Sequence, residues 1–397
     1  MIALAEARRI VRSRARILPV ETVPLVSALD RVLAADLIAP ISRPAVALAA
    51  MDGYAVRIAD LSPLPVQLRV VGIAAAGEAY PGTVQPGEAV RVLTGAPLPA
   101  GADGVVIQEH VHADGNTVVV AETAVVGRWI RPASTDFQAG ATLISAGRRL
   151  TPRDLSLAAA ANVAALTVRQ RPRVAFVATG SELVPPGEWR LPAHTVNSNG
   201  VYLATQLPRW GAIGVDFGMV PDDPAALQRS LRQAIEADLV LTVGGASVGD
   251  RDLVLPVLAS LGFEAGFAGV AMRPGKPSAF GWLGETPILV LPGNPASAVV
   301  GMLRLAQPLI NGMLGMSEVE PNEAEAVLGS ALPQNDERED HLRARTTLLG
   351  AGALEATPFD RQDSGMTAPL AAADCLIVRP PRAAKAQPGD IVPIIRL

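Results

Sequence analysis

The residues best suited to chemistry fall in three loops: Thr179-Gly180-Ser181-Glu182, Gly244-Gly245-Ala246-Ser247 and Pro292-Gly293-Asn294-Pro295. Each follows an apolar run, and Leu239-Val240-Leu241-Thr242-Val243 before the second reads as a buried strand. Glycines at a strand's carboxyl end let backbone N–H groups approach an anion, and a following helix start adds its positive end. Three such loops on one edge of a parallel sheet can surround a single phosphate or other oxyanion. Glu182, Asp222 and Asp252 bring carboxylates to that edge. Acids beside an anion make sense when a divalent cation such as Mg²⁺ bridges the two. Asp222 and Asp223 can equally be helix caps, and for Asp223, followed by Pro224, capping is the preferred reading.

The turn Arg273-Pro274-Gly275-Lys276-Pro277 presents two cations on a backbone stiffened by proline. Only Lys276 and Lys385 are lysine among 34 basic residues. A lysine kept in this turn suggests that a compact ammonium is wanted there, since the two cations are not interchangeable. Preorganised cations suit an oxyanion. His110 and His112 would share a strand face, but no further Cys or His cluster supports a metal pair, so they read as surface histidines. Cys375, the only cysteine, lies in the apolar Cys375-Leu376-Ile377-Val378 and reads as a buried thiol. No serine-nucleophile elbow, zinc-protease motif, Walker A or dinucleotide fingerprint appears.

Elements must hold these loops in place. With 397 residues, the chain is too long for one ordinary core. Its 49% hydrophobic and 18% charged content makes it globular, and a net charge of −4 gives no electrostatic reason to bind nucleic acid. No apolar span is long enough to cross a bilayer and no signal-peptide pattern opens the chain, so a cytoplasmic protein without membrane partners is expected. Residues 1–50 alternate helical patterns with a short extended piece, the last helical one being Ser27 to Asp36, and 145–173 joins this region. Thr151-Pro152-Arg153-Asp154 starts a helix there. Residues 51–144 are short β-type runs broken by Gly, Pro and Asp. Residues 174–325 alternate strands and helices, which predicts a doubly wound α/β domain with a parallel sheet. Residues 326–397 return to β signals.

In order along the chain stand Met51-Asp52-Gly53-Tyr54-Ala55-Val56, Thr94-Gly95-Ala96-Pro97-Leu98-Pro99-Ala100-Gly101-Ala102-Asp103 and Thr179-Gly180-Ser181-Glu182-Leu183. They continue with Gly244-Gly245-Ala246-Ser247-Val248-Gly249-Asp250-Arg251-Asp252, Pro274-Gly275-Lys276-Pro277, Pro292-Gly293-Asn294-Pro295 and Ser364-Gly365-Met366. Together they resemble the molybdopterin molybdenumtransferase family, whose eukaryotic relatives include the gephyrin E domain. The resemblance implies a multidomain α/β and β protein: a molybdopterin-binding-like α/β domain, a β insertion and a C-terminal β-barrel. It further implies a cytoplasmic homodimer whose site is completed by the partner's insertion. The implied reaction inserts molybdate into adenylylated molybdopterin, with Mg²⁺-dependent cleavage that releases AMP and molybdenum cofactor. A molybdopterin adenylyltransferase would be the upstream partner.

By the same resemblance, Ser247, Arg273 and Lys276 would hold molybdate, Pro277 would shape the pocket, and Arg343 and Ser364 would close it. Glu182 and Asp252 would serve the metal and the adenylate, Asp222 would line the cleft with Gly244 and Gly245, and Pro292 and Pro295 would shape it. Asp52, Thr94, Arg131 and Asp136 would come from the insertion, across the dimer. The sequence also departs from the family pattern. Leu48-Ala49-Ala50 replaces Asn-Ser-Ala, Ser134-Thr135-Asp136 replaces Gly-Glu-Asp, Ser181 stands for an acid and Arg273 for a common lysine. These departures leave room for a paralogue that binds or delivers molybdopterin without turnover.

Overall fold

The computed structural model describes residues 1–245, 253–318 and 323–397. At its centre strands and helices alternate: β1 (Arg173–Thr179), α1 (Ser198–Arg209), β2 (Ile213–Val220), α2 (Pro224–Ala234), β3 (Leu239–Val243) and α3 (Val254–Ser260). Then come β4 (Glu264–Ala268), β5 (Ala279–Leu283), β6 (Thr286–Leu291) and α4 (Pro295–Gly301). The sheet order is β2-β1-β3-β6-β5-β4. Alternation along β1 sends Val174 and Phe176 into one core and Ala175 and Val177 into another. Burial on both faces is why these strands read as continuous apolar runs. Leu203 and Leu207 of α1 cover the first face, and Leu227 and Leu231 of α2 with Val257 and Leu258 of α3 cover the second. The sheet is doubly wound, as the alternation predicts.

Two expectations need correction. The sheet is not wholly parallel: β2, β1, β3 and β6 are, but β5 runs antiparallel to β6 and β4 antiparallel to β5. Gly284-Glu285 makes the β5–β6 hairpin, with Leu283 opposite Thr286 and Gly284 at φ 62°. This turn is less conspicuous in sequence than Asn-Gly or Asp-Gly. The helical pattern from Ser27 to Asp36 reduces to one 3₁₀ turn, Leu25–Ala28. Asp30 has φ 61°, and beyond it Val32 and Leu33 bridge to Arg149 and Val168 instead of continuing a helix.

Beyond α4 the helix continues through a π turn, Met302–Ala306, into Gln307–Met313. Pro308 has no N–H for the carbonyl of Arg304 and its ring would crowd a regular turn, so a wider one is accommodated here. The first helix, Leu4–Ser13, buries Leu4, Ala7 and Val11 in the same core as that run. Val20–Pro24 pairs antiparallel with Ala165–Arg169, and Thr151 caps Pro152–Ala160 in a capping box with Asp154.

A six-stranded sheet forms from Gly53–Val56, Val66–Ala74, Glu88–Val92, Gly104–Ile107, Val111–Asp114 and Thr117–Val120. At the other end Glu323–Leu328, Glu339–Leu348, Leu354–Pro358, Cys375–Arg379 and Ile391–Arg396 close a five-stranded barrel. Closure comes from Glu339–Leu348, which pairs with both Leu354–Pro358 and Cys375–Arg379 and so leaves no free edge between them. Leu328, Ala344, Ala356, Ile377 and Ile394 fill its interior with Cys375. Burial first and Asp374 second push that thiol up to about 11, which agrees with an inert cysteine. Among the described residues no helix is long and apolar enough to cross a membrane.

Candidate active site

The loops after β1, β3 and β6 meet backbone against backbone at one sheet edge. Gly244 N–H donates to the Leu291 carbonyl at 3.0 Å, and Gly180 N–H to that of Val220 at 3.1 Å. Gly244 has φ 102°, and a Cβ on it would stand 2.3 Å from the Thr179 carbonyl oxygen. Glycine is therefore required by conformation and by space. The meeting loops floor a cleft of about 730 Å³ that Glu182, Gly244, Gly245, Pro277, Pro292 and Pro295 all line. The sequence reading put Glu182, Gly244, Gly245, Pro292 and Pro295 at this cleft and Pro277 at the oxyanion pocket; Pro277 lines both hollows. Ala246 to Asp252 lie outside the described residues, and with them Ser247 and Asp252.

Asp222 does not line the cleft. Its carboxylate accepts from Ser181 N–H at 3.2 Å while its own N–H donates to Ser181 Oγ at 2.9 Å, so it braces the Glu182 loop from behind. Asp223 is a cap, accepting from Ala226 N–H at 2.7 Å. Three asparagines join the cleft; Asn294 belongs to a loop named from the sequence, while Asn197 and Asn199 were missed. Asn197 caps α1, Asn199 donates to the Gly293 carbonyl at 2.7 Å, and Asn294 donates to Ser364 Oγ at 2.9 Å. The signal was present as Asn197-Ser198-Asn199 at a helix start, which places the amino end of α1 on the cleft.

A second hollow of about 500 Å³ adjoins the first and shares Pro277, Pro292 and Asn294 with it. Arg273 and Lys276 enter it from the α/β side, and Ser364 and Arg338 from the barrel side. The two cations of the turn differ. Arg273 is an ion-pair partner of Asp340, and also reaches Asp336 at 3.1 Å and Asn335 at 3.3 Å. Asp340 is 4% exposed. Lys276 is exposed and has no ion pair among the described residues. Arg343 sits behind this hollow and does not line it. Only 2% exposed, it donates to the Met366 carbonyl at 3.1 Å and to Gln362 at 3.2 Å, bracing the loop that carries Ser364. Burial holds its guanidinium below the ordinary arginine value.

The insertion residues line neither hollow. Asp52 accepts from both Thr94 N–H and Thr94 Oγ, each at 2.7 Å, and these bonds hold its carboxyl below its usual range. Arg131 lies on Ile130–Arg131, paired with Leu48–Ala49, and Asp136 is 3.6 Å from Arg43. Ala49 N–H in turn donates to the Ala96 carbonyl, which ties the Asp52, Thr94 and Arg131 segments into one surface.

Of the two residues expected to hold Mg²⁺, Glu182 lines the cleft and Asp252 lies outside the described residues. No group of three His, Cys, Asp or Glu among them stands close enough to hold a metal, and Glu182 is the one carboxylate of theirs lining the cleft. His110 pairs with Glu122 at 2.9 Å and His112 is exposed.

Fold and site together define a class: an α/β protein with a glycine-floored cleft at the carboxyl edge of its sheet and a cation-lined hollow beside it that a barrel completes. Models for the MoeA N-terminal region (domain I and II), a probable molybdopterin binding domain and the MoeA C-terminal region (domain IV) match residues 2–162, 175–312 and 325–397. Molybdopterin molybdenumtransferase 2 of Mycobacterium tuberculosis is 37% identical over 342 residues, 84% of each chain. Molybdopterin molybdenumtransferase of Haemophilus influenzae is 32% identical over 94% of this chain and 93% of its own. The crystal structure of the molybdopterin biosynthesis MoeA protein from Pyrococcus horikosii aligns with TM-score 0.87 and 29% identity over 100% of this chain and 99% of that one. The chain belongs to the molybdopterin molybdenumtransferase family, a family of enzymes of molybdenum cofactor biosynthesis.

Proposed function

We propose that the protein inserts molybdate into adenylylated molybdopterin, cleaving the adenylate and releasing AMP and molybdenum cofactor. The observation that carries this reading is the adjacency of two hollows with different chemistry. One is floored by glycine backbone and opens on the start of α1, which suits a phosphate-bearing ligand. The other is walled by Lys276, which has no ion pair among the described residues, and this suits a compact oxyanion. Their shared wall of Pro277, Pro292 and Asn294 keeps the two ligands adjacent, and fixed cations at the oxyanion cost no reorganisation as it reacts. The chain needs no thiolates of its own, because the pterin supplies the sulfurs.

Glu182 and Asp252 are the proposed holders of Mg²⁺, which would ease phosphoanhydride cleavage. In this reading the protein is a homodimer, and Asp52, Thr94, Arg131 and Asp136 of one subunit reach the cleft of the other. What supports it is the gathering of Asp52, Thr94 and Arg131 on a surface apart from their own chain's cleft. An adenylyltransferase of the same pathway would supply the substrate. A second reading, binding or delivery of molybdopterin without turnover, is favoured by Arg273 being committed to Asp340.

Lys276→Ala tests the proposal. It should raise the molybdate concentration for half-maximal AMP release roughly tenfold or more, the value of a lost charge-assisted hydrogen bond, with the oligomeric state unchanged. An unchanged molybdate dependence would remove Lys276 from the site.

A further inference from the structure

We propose that Arg338, from the barrel side, is a second oxyanion-holding residue and sets how tightly molybdate binds; this rests on the function proposed above. A doubly charged tetrahedral anion needs more than one cation, and among the described residues three reach the second hollow: Arg273, Lys276 and Arg338. Arg273 is the least available. Turning it towards a ligand would strand Asp340, a carboxylate 4% exposed, and an unpaired buried charge is costly. Among the described residues the one carboxylate lining the hollow, Asp363, accepts from Gly365 N–H at 2.7 Å.

Arg338 is held differently. Its Nη2 pairs with Asp336 at 2.6 Å and its Nε reaches the same carboxylate at 3.4 Å. Nη1 makes no hydrogen bond among the described residues. The Asp336 side chain is 41% exposed, so water as well as the two guanidiniums can solvate it. Asp336 also takes Arg273 at 3.1 Å, so one carboxylate is shared by two guanidiniums and neutralises neither fully. Arg338 therefore keeps Nη1 to spare while Asp336 orients its guanidinium, and it lines the same hollow as Lys276. An oxyanion gripped by Lys276 and Arg338 would sit between the α/β domain and the barrel.

The test is equilibrium dialysis of molybdate alone against the full chain, followed by molybdate-dependent AMP release. Arg338→Gln should weaken molybdate binding roughly tenfold, and in turnover the loss should fall on KM for molybdate rather than on kcat. Arg338→Lys, which keeps the charge and loses the fork, should fall between wild type and Gln. A folded Arg338→Gln that binds molybdate as wild type does would overturn the proposal. Should that variant not fold, Arg338→Lys decides: weaker binding supports the assignment, wild-type binding removes it. Weakened binding by Arg338→Gln, with no AMP release even from wild type, would leave the oxyanion site standing while the proposed reaction falls.

Discussion

At the scale of single residues, the cleft depends on backbone as much as on side chains. Gly244 holds a left-handed conformation with the Thr179 carbonyl where a Cβ would go. Gly244→Ala should lower stability on the order of 2 kcal/mol and open the loop junction. Chemical unfolding checks this, and an unchanged midpoint would show that the junction is slack. Glu182, Lys276 and the three loops were legible in sequence because glycine, proline and lone charges after apolar runs have few other uses. The roles of Asp222, Arg273 and Arg343 were not. Whether a charged residue lines a cleft or braces it depends on partners far along the chain: Ser181 for Asp222, Asp340 for Arg273, Met366 for Arg343.

At the scale of elements, the π turn and the barrel are pinned by a buried charge cluster. Arg304, 2% exposed, pairs with Glu323 at 2.7 Å and Glu339 at 2.9 Å. His341, 1% exposed, has Nε2 3.2 Å from Glu339. Burial, with Arg304 adding to it, holds the His341 ring below its ordinary value of 6.5 in spite of Glu339 and Asp340. Burial alone would raise Glu339, yet His341 and Arg304 outweigh it and hold it below the usual carboxylate range. Both groups bind protons more weakly folded than unfolded, so both contribute stability that is lost as pH falls. The histidine part is complete above pH 6.5 and fades below it, and the glutamate part fades lower, below its ordinary 4.5. Urea unfolding from about pH 7.5 to about pH 5.5 should lose up to roughly 1.4 kcal/mol per pH unit from one such group, and His341→Gln should flatten that limb. An equally steep limb in the variant would place the titration elsewhere. None of this was visible in the sequence, since it joins a helix, a strand start and a barrel strand.

At the scale of the whole molecule, the two hollows lie where the α/β domain meets the barrel. Met272–Arg273 pairs parallel with Glu339 and Asp340 of the barrel strand, and Ala296 N–H donates to the Ser364 carbonyl at 3.0 Å. The turn carrying Lys276 is thus fastened to the barrel on one side and the sheet on the other. The α/β domain, the insertion and the barrel were readable from strand texture and motif order. The β5–β6 hairpin and the barrel's closure needed pairing information that local patterns do not hold. The most direct measurement follows AMP from purified protein given adenylylated molybdopterin and Mg²⁺, with and without molybdate. The account predicts that molybdate triggers AMP release above a control lacking protein. Release that ignores molybdate, or none above that control, would contradict it.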